Sequence, residues 1–231
     1  MDSIIEVVRC FENSNIIHVD GVINPTNDIE IIELELIYAD LETVSKRRER
    51  LKKQLKADKS LIKEDLVLEK IEKALNEGKS ARSLKLTEEE KDIIKSLSLL
   101  TLKPLMYVAN VDEETIQDIE KNENFKKVKQ YAESQSAKVI PICVKLEEEI
   151  SSIESEEERK EFLEMMGLDK SGLDKLIIAS YDILGLMSYL TVRRNRSKSM
   201  DYKKRYKSTK SGIKDTFRYR KRVYKSGNRI I

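Results

Sequence analysis

The sequence predicts an α/β protein in which a parallel sheet with covering helices is interrupted by an antiparallel coiled-coil insert and followed by a disordered basic tail. Three observations predict it. Short runs rich in β-branched and aliphatic residues, "SIIEVVRCF", "LMYVANV" and "KVIPICV", read as buried strands, and a helix-length segment separates the last two. Between the first and second runs, apolar residues recur at helical and heptad spacing. Charge is partitioned as well: from Arg193 onward there are 16 Lys/Arg against 2 Asp/Glu, whereas residues 1–192 hold 28 against 40. The formal net charge of +2 therefore conceals an acidic body and a polycationic end.

In chain order, Ser3–Phe11 reads as a strand buried on both faces, starting so early that the chain is expected to begin inside a domain. The loop "ENSNIIHVDGVINPTND" leads into a long helix, with Pro25 setting its entry and Thr26, Asn27 and Asp28 offering cap oxygens. Leu34, Ile37, Leu41, Val44, Leu51 and Leu55 form its apolar stripe. After "KADKS", Leu61, Leu68 and Leu75 recur at sevens with Ile71 between them, so the second helix folds back on the first. Thr87 and Glu90 have capping-box spacing and open the return segment, which closes at Pro104. "EETIQDIEKNENFKKVKQYAESQSA" reads as the helix between the second and third strands, and the body beyond, through "SGLDKLIIASYDILGLMSYLT", as helical.

Several chemistries are excluded by composition. Cys10 and Cys143 are too few and too distant for a disulfide framework, and with a single histidine they supply no metal set. No apolar run reaches the ~18 residues of a membrane span, and no basic, apolar leader follows Met1. A soluble, cytoplasmic protein is expected. No GxSxG elbow is present.

Two motifs invite a nucleotide reading. "EGKSARS" places Gly78, Lys79 and Ser80 like the end of a phosphate loop, but Lys73 stands where GxxxxGK[ST] needs glycine, and the triplet follows a helix rather than a strand. A glycine helix stop is the expected role. "NVDE", Asn110–Glu113, lies at the carboxyl end of a predicted strand, where open α/β sheets bind ligands; the rival reading is a helix-capping turn. His18, in "NIIHVDG", reads from its surroundings as a packed or solvent-facing side chain rather than a functional one.

The order of "VVRCFENSNIIHVDGVINPTNDIEIIELELIYADLETV", "LLTLKPLMYVANVDE", "VIPICVKLEEEI" and "GLDKLIIASYDILGLMSYLT" resembles the YchF type of Obg-like ATPase from about Asp2 to Thr191. The resemblance implies a P-loop nucleoside-triphosphatase domain, here partial, with a helical insert. Its first part would be residues 1–26, the insert 27–86 and its second part 87–191. It further implies ATP hydrolysis, weaker use of GTP, Mg²⁺ and association with the ribosome. By the same resemblance Asn110, Val111 and Glu113 line an adenine pocket, Cys143 and Val144 lie beside it, and His18 orients the attacking water. Guanine rewards a suitably placed aspartate with its N1–H and 2-amino group; adenine has neither, so an altered carboxylate removes that preference.

Two departures accompany the match. The family's phosphate loop, Mg²⁺-binding threonine and DxxG switch are expected upstream of the segment present, so this polypeptide alone is expected to be inactive. Residues 192–231 stand where a TGS domain is expected. Met200–Asp201 is encoded ATG-GAY, and reading one nucleotide later gives TGG, tryptophan. That shift permits Arg-Ala-Trp-Thr-Ile-Lys-Lys over Lys198–Lys204 and Ile-His-Ser-Asp-Ile-Glu-Lys-Gly-Phe-Ile-Arg-Ala over Asp215–Ser226, both resembling family sequence. An out-of-frame tail is therefore expected, disordered for want of apolar periodicity. One rival reading takes the tail as genuine, with Lys/Arg and Tyr202, Tyr206, Phe217, Tyr219 and Tyr224 binding RNA without sequence preference. Another is a coiled-coil interaction module at residues 27–85.

Overall fold

The computed structural model describes residues 1–13, 23–55, 58–193 and 196–203. It comprises two units, Met1–Leu173 and a second beginning at Asp174.

Parallel pairing organises the first unit. Strand β2 (Leu105–Asn110) lies between β1 (Ile4–Arg9) and β3 (Lys138–Ile142), and both pairings are parallel. Arg9, Asn110 and Ile142 share one row, so the three carboxyl ends finish together. Val8, Leu105, Tyr107 and Ala109 pack on one side with Ile29 of helix α1 (Pro25–Gln54) and with Phe125, Val128 and Ala132 of α4, Glu123–Ser134. β2 is buried from Leu105 to Ala109, as a central strand requires. β1 corrects the expectation of burial on both faces: Ile5 and Val7 are 40% and 63% exposed. Side chains alternate along a strand, and α1 and α4 cover only the face that carries Val8.

The insert is a helical hairpin of α1 and α2 (Ile62–Asn76). Pro25 occupies the first turn, where its missing N–H costs nothing, and Asn24 rather than Thr26, Asn27 or Asp28 is the N-cap. Ile37, Val44 and Leu51 meet Val67, Leu68, Ile71 and Leu75, as the stripes predict, while Leu34 stays exposed. Ser45 and Arg48 reach Glu72, and Arg47 reaches Glu64, so the two helices run in opposite directions. Helix α3 (Glu88–Ile94) begins at the predicted capping box, with Thr87 Oγ1 accepting from Glu90 N–H at 3.2 Å and Glu90 accepting from Thr87 N–H at 2.8 Å.

Asp40 closes the insert. Its carboxylate is 2% exposed and accepts from the N–H groups of Leu100 and Thr101 at 2.8 and 2.7 Å and from the Thr101 hydroxyl at 2.6 Å. Thr101 Oγ1 in turn accepts from Ala81 N–H at 3.1 Å, and Arg82 Nε donates to the Thr101 carbonyl at 2.9 Å.

Between β2 and β3 the predicted helix over residues 113–137 is shorter than expected. α4 starts at Glu123, because Asn122 takes the N-cap and accepts from Phe125 N–H at 2.8 Å. After β3 come α5 (Val144–Ser152), α6 (Glu156–Met165) and α7 (Gly172–Ile183). Glu147 of α5 accepts from Gly172 N–H at 2.6 Å and Leu173 N–H at 3.1 Å, serving orphan donors at the start of α7.

In the second unit α7 ends at Ile183 and Gly185 takes a positive φ of 61°. The helix expected through Thr191 is thus replaced by β4 (Leu186–Arg193), which pairs antiparallel with β5 (Arg196–Lys203). Glycine stops the helix, and the Tyr-, Thr- and Val-containing run after it suits a strand. Residues 192, 193 and 196–203 of the expected basic tail fall within this two-stranded ribbon. The remainder of the basic tail lies outside the described residues.

A polar patch is enclosed in the first unit. The Tyr131 hydroxyl donates to Glu33 at 2.9 Å, with its ring edge-on to Tyr107 at 6.2 Å. Glu6 Oε2, Glu33 Oε1, the Tyr107 hydroxyl and both terminal nitrogens of Arg82 are buried without a hydrogen-bond partner. Burial, then Glu33 and more weakly Asp28, push the Glu6 carboxyl from 4.5 up to about 7 against the opposing pull of Arg82.

Two expectations follow from these contacts. Asp40→Ala strands the buried N–H of Thr101 and the half-buried N–H of Leu100 and should cost about 3 kcal/mol, read as a lower urea midpoint at unchanged slope. Glu6 keeps its proton in the fold between pH 4.5 and about 7 while the unfolded chain releases it. Stability from this group is therefore present at low pH and lost as pH rises through that window. Glu6→Gln should melt above the parent at pH 8, by a few degrees, with the gap closed at pH 4; an equal gap at both pH values would sink this account.

Candidate functional site

The "EGKSARS" motif is a helix terminator in the structure. Gly78 follows α2 with φ of 73°, its N–H bonds the Leu75 carbonyl at 3.0 Å, and Lys79 N–H bonds the Ala74 carbonyl at 2.9 Å. These are the bonds of a left-handed helix stop, so the amides do not converge on a phosphate there.

The carboxyl ends of β2 and β3 instead bring four of the predicted residues, Asn110, Val111, Cys143 and Val144, together. Val111 N–H donates to the Ile142 carbonyl at 2.9 Å, extending the ladder past Asn110 and tying the start of "NVDE" to the end of β3. Asn110 Oδ1 accepts from Val144 N–H, the first residue of α5, at 3.2 Å. With the oxygen so engaged, the carboxamide NH₂ is the donor that Asn110 presents. Glu113 follows one turn on, and Lys145 Nζ stands 3.0 Å from its Oε1. That ion pair joins the fifth predicted residue to the α5 end of the loop, and the proximity of Glu113 pushes the Lys145 ammonium pKa upward.

Of these residues, Asn110, Glu113 and Val144 reach the surface, whereas Val111 and Cys143 are buried at 2% and 3% exposure. Val111 belongs to the core beneath the sheet ends and contributes its backbone to the loop. Cys143 anchors α5 against Leu146 and Ile150, and burial pushes its thiol pKa up. Burial, with Asp28 nearby, pushes the Cys10 thiol to about 12, so neither cysteine is a nucleophile near neutral pH. Sequence reasoning missed Lys145 and Asn122. The Asn122 side chain donates to the Cys10 carbonyl at 2.9 Å, while Cys10 N–H donates to the Asn110 carbonyl at 2.8 Å, so one asparagine links the exits of β1 and β2 to α4. An asparagine before a helix signals a cap, but its second partner is 112 residues away and leaves no local trace.

A cavity of about 480 Å³ opens beside this edge, bounded by Phe11, Glu12, Asp112, Asn122, Glu123 and Lys127. Among the described residues no three His, Cys, Asp or Glu side chains gather closely enough to hold a metal. None of the described helices is long and apolar enough to cross a membrane. His18 lies outside the described residues.

No family model matches the chain. It is similar to proteins named ribosome-binding ATPase YchF: 46% identical over 209 residues to that of Bacillus subtilis, covering 90% of this chain and 57% of the relative. Against the Escherichia coli O157:H7 protein the identity is 43% over 191 residues, covering 82% and 52%. The solved structure of the Schizosaccharomyces pombe YchF GTPase superposes with a TM-score of 0.78 at 33% identity, covering 91% of this chain and 57% of that one. The chain thus spans a little over half the length of the relatives it matches. The α/β layer, the helical hairpin between β1 and β2, and the identity over most of the chain agree: this chain belongs to the YchF type of the Obg-like family.

Proposed function

We propose that this chain provides the base-recognition end and the helical insert of a cytoplasmic, ribosome-associated YchF nucleotidase that prefers adenine to guanine nucleotides. The observation that carries this reading is the Asn110–Val144 hydrogen bond, which leaves a carboxamide donor at the carboxyl edge of the sheet beside the Glu113–Lys145 pair. A carboxamide N–H₂ suits a purine ring-nitrogen acceptor. A glutamate held by a lysine is a poorer partner for the N1–H and 2-amino group of guanine than a free aspartate. In this reading Asn110, Glu113 and the Val144 edge face the base, Val111 and Cys143 hold the loop from beneath, and His18 orients the attacking water. ATP, more weakly GTP, and Mg²⁺ are the cofactors of the intact type. The relatives named ribosome-binding supply the partner. Polycationic residues 193–231 add non-specific attraction for RNA.

Phosphoryl transfer depends on a loop of amides, a lysine and a metal site around the triphosphate. No GxxxxGK[ST] run occurs in the 231 residues, so this polypeptide alone should show no turnover of ATP or GTP in a phosphate-release assay. Measured turnover would refute that part of the reading. Saturation-transfer NMR with ATP and with GTP tests the base site itself. Stronger transfer to adenine than to guanine protons is expected, reduced about fivefold by Asn110→Ala, the value of one net hydrogen bond. Glu113→Asp should narrow the adenine preference. Equal transfer to both bases, unchanged in Asn110→Ala, would remove Asn110 and Glu113 from base recognition.

A further inference from the structure

The turn end of the hairpin of α1 and α2 carries a charge opposite to that of the rest of the chain up to Val192. Between Lys46 and Lys63 the sequence has nine Lys/Arg and two Asp/Glu, whereas the other residues up to Val192 have 19 Lys/Arg and 38 Asp/Glu. A 30-residue helix is about 45 Å long, so this cationic stretch sits at the end of an extended arm.

Part of the charge is spent within the hairpin. Arg47 binds Glu64 through two nitrogens at 2.7 and 2.9 Å, and Arg48 contacts Asp65 at 3.0 Å and also Glu72. These pairs lie on the half-buried seam and hold α1 and α2 in register. The cations nearer the turn are different. Arg50, Lys53, Lys59 and Lys63 are exposed, and no ion pair engages them among the described residues. Arg50 and Lys53 are three residues apart on α1, Lys53 opposite buried Val44 and Leu51 and Arg50 on the flank between. Lys59 and Lys63 continue the cationic surface across the turn onto α2. Ile62 and Leu66, 47% and 54% exposed and one turn apart, add an apolar stripe too narrow to seat a helix in a lipid interface.

Resting on the ribosome-associated reading above, we propose that this end of the hairpin, through Arg50, Lys53, Lys59 and Lys63, is an RNA-docking surface that engages the phosphate backbone. An acidic body is repelled by a polyanion, whereas the cationic end of the hairpin is drawn to it. The fit is to phosphate spacing rather than to base edges, since four flexible cations with no aromatic partner read no sequence. The expected binding is salt-sensitive and indifferent to sequence.

The full chain is compared with Arg50→Ala/Lys53→Ala/Lys59→Ala/Lys63→Ala and with a charge-preserving Arg50→Lys/Lys53→Arg/Lys59→Arg/Lys63→Arg chain. The readouts are cosedimentation with purified ribosomes and fluorescence anisotropy on a labelled 24-nucleotide RNA hairpin. All three chains keep residues 193–231, so the tail contributes equally. The alanine chain should bind the hairpin at least tenfold more weakly at 100 mM salt, and its plot of log affinity against log salt should be shallower by about three. The charge-preserving chain should match the parent. The four side chains are exposed, so melting temperatures should agree, which separates lost docking from lost folding. Parent-like ribosome and RNA binding by the alanine chain would overturn the docking surface and leave ribosome association standing. A parent chain that fails to sediment with ribosomes would overturn both. Loss of binding to phosphatidylserine vesicles in place of RNA would assign the arm to a membrane and reject the proposal.

Discussion

A helical insert of this size poses a closure problem that the Asp40 carboxylate solves. β1 and β2 are adjacent parallel strands, spaced by about 4.8 Å, yet some ninety residues of chain leave one and must return beside it in register. Ordering so long an excursion has an entropic cost that hydrogen bonds at the strands alone do not offset. Asp40 sits midway along α1 and grips Leu100 and Thr101, just before the return. Thr101 then holds Ala81, and Arg82 holds the Thr101 carbonyl, so both legs of the hairpin and the returning strand meet at one buried node. Three residues after Thr101, the Pro104 carbonyl accepts from Ile4 N–H at 2.9 Å, at the start of the sheet. The same returning strand carries Asn110 into register beside Ile142 at the end of β3.

What was legible in the sequence was local. Leu68, Ile71 and Leu75 announce their seam by spacing, Thr87 and Glu90 form a box closed within four residues, and Gly78 stops a helix through its own backbone. The strand ends that carry Asn110 and Cys143 were likewise readable, because continuous apolar runs seldom do anything else. What was hidden depends on partners far along the chain. Asp40 lies mid-helix among acidic neighbours and looks like solvent-facing charge until Thr101, 61 residues later, is folded against it. Asn122 and Lys145 are equally silent, one bridging to Cys10 and the other to Glu113. Ile5 and Val7 misled for another reason: apolar alternation records what a residue can bury against, not whether a covering element stands there.

The charges of the insert separate into two populations with different physics. Arg47 and Arg48 are partly removed from water and held in forked geometry by Glu64, Asp65 and Glu72, the setting in which guanidinium pairs specify an arrangement. Lys46–Glu42, Lys91–Glu88 and Lys126–Glu123 are exposed, screened and worth little. Lysine and arginine counts alone cannot distinguish these populations. The interhelical pairs make the hairpin a defined arm, and that definition gives the unpaired cations beyond them a fixed place.

The site at the sheet edge has a related division of labour. Asn110, Val111 and Val144 are tied by backbone and carboxamide hydrogen bonds to strands and a helix start, so their geometry is set before any ligand arrives. Preorganisation of that kind favours discrimination, because a rigid donor cannot move to accommodate the wrong base edge. It does not by itself confer affinity. One or two neutral hydrogen bonds contribute only about 1 kcal/mol each after desolvation, far from the roughly 8 kcal/mol of a micromolar complex. For the nucleotide site proposed above, most of the binding free energy is therefore expected from the phosphates rather than from this edge. In the proposed reading the edge formed by β2, β3 and α5 selects the base, and retention of the nucleotide falls to a separate phosphate cradle.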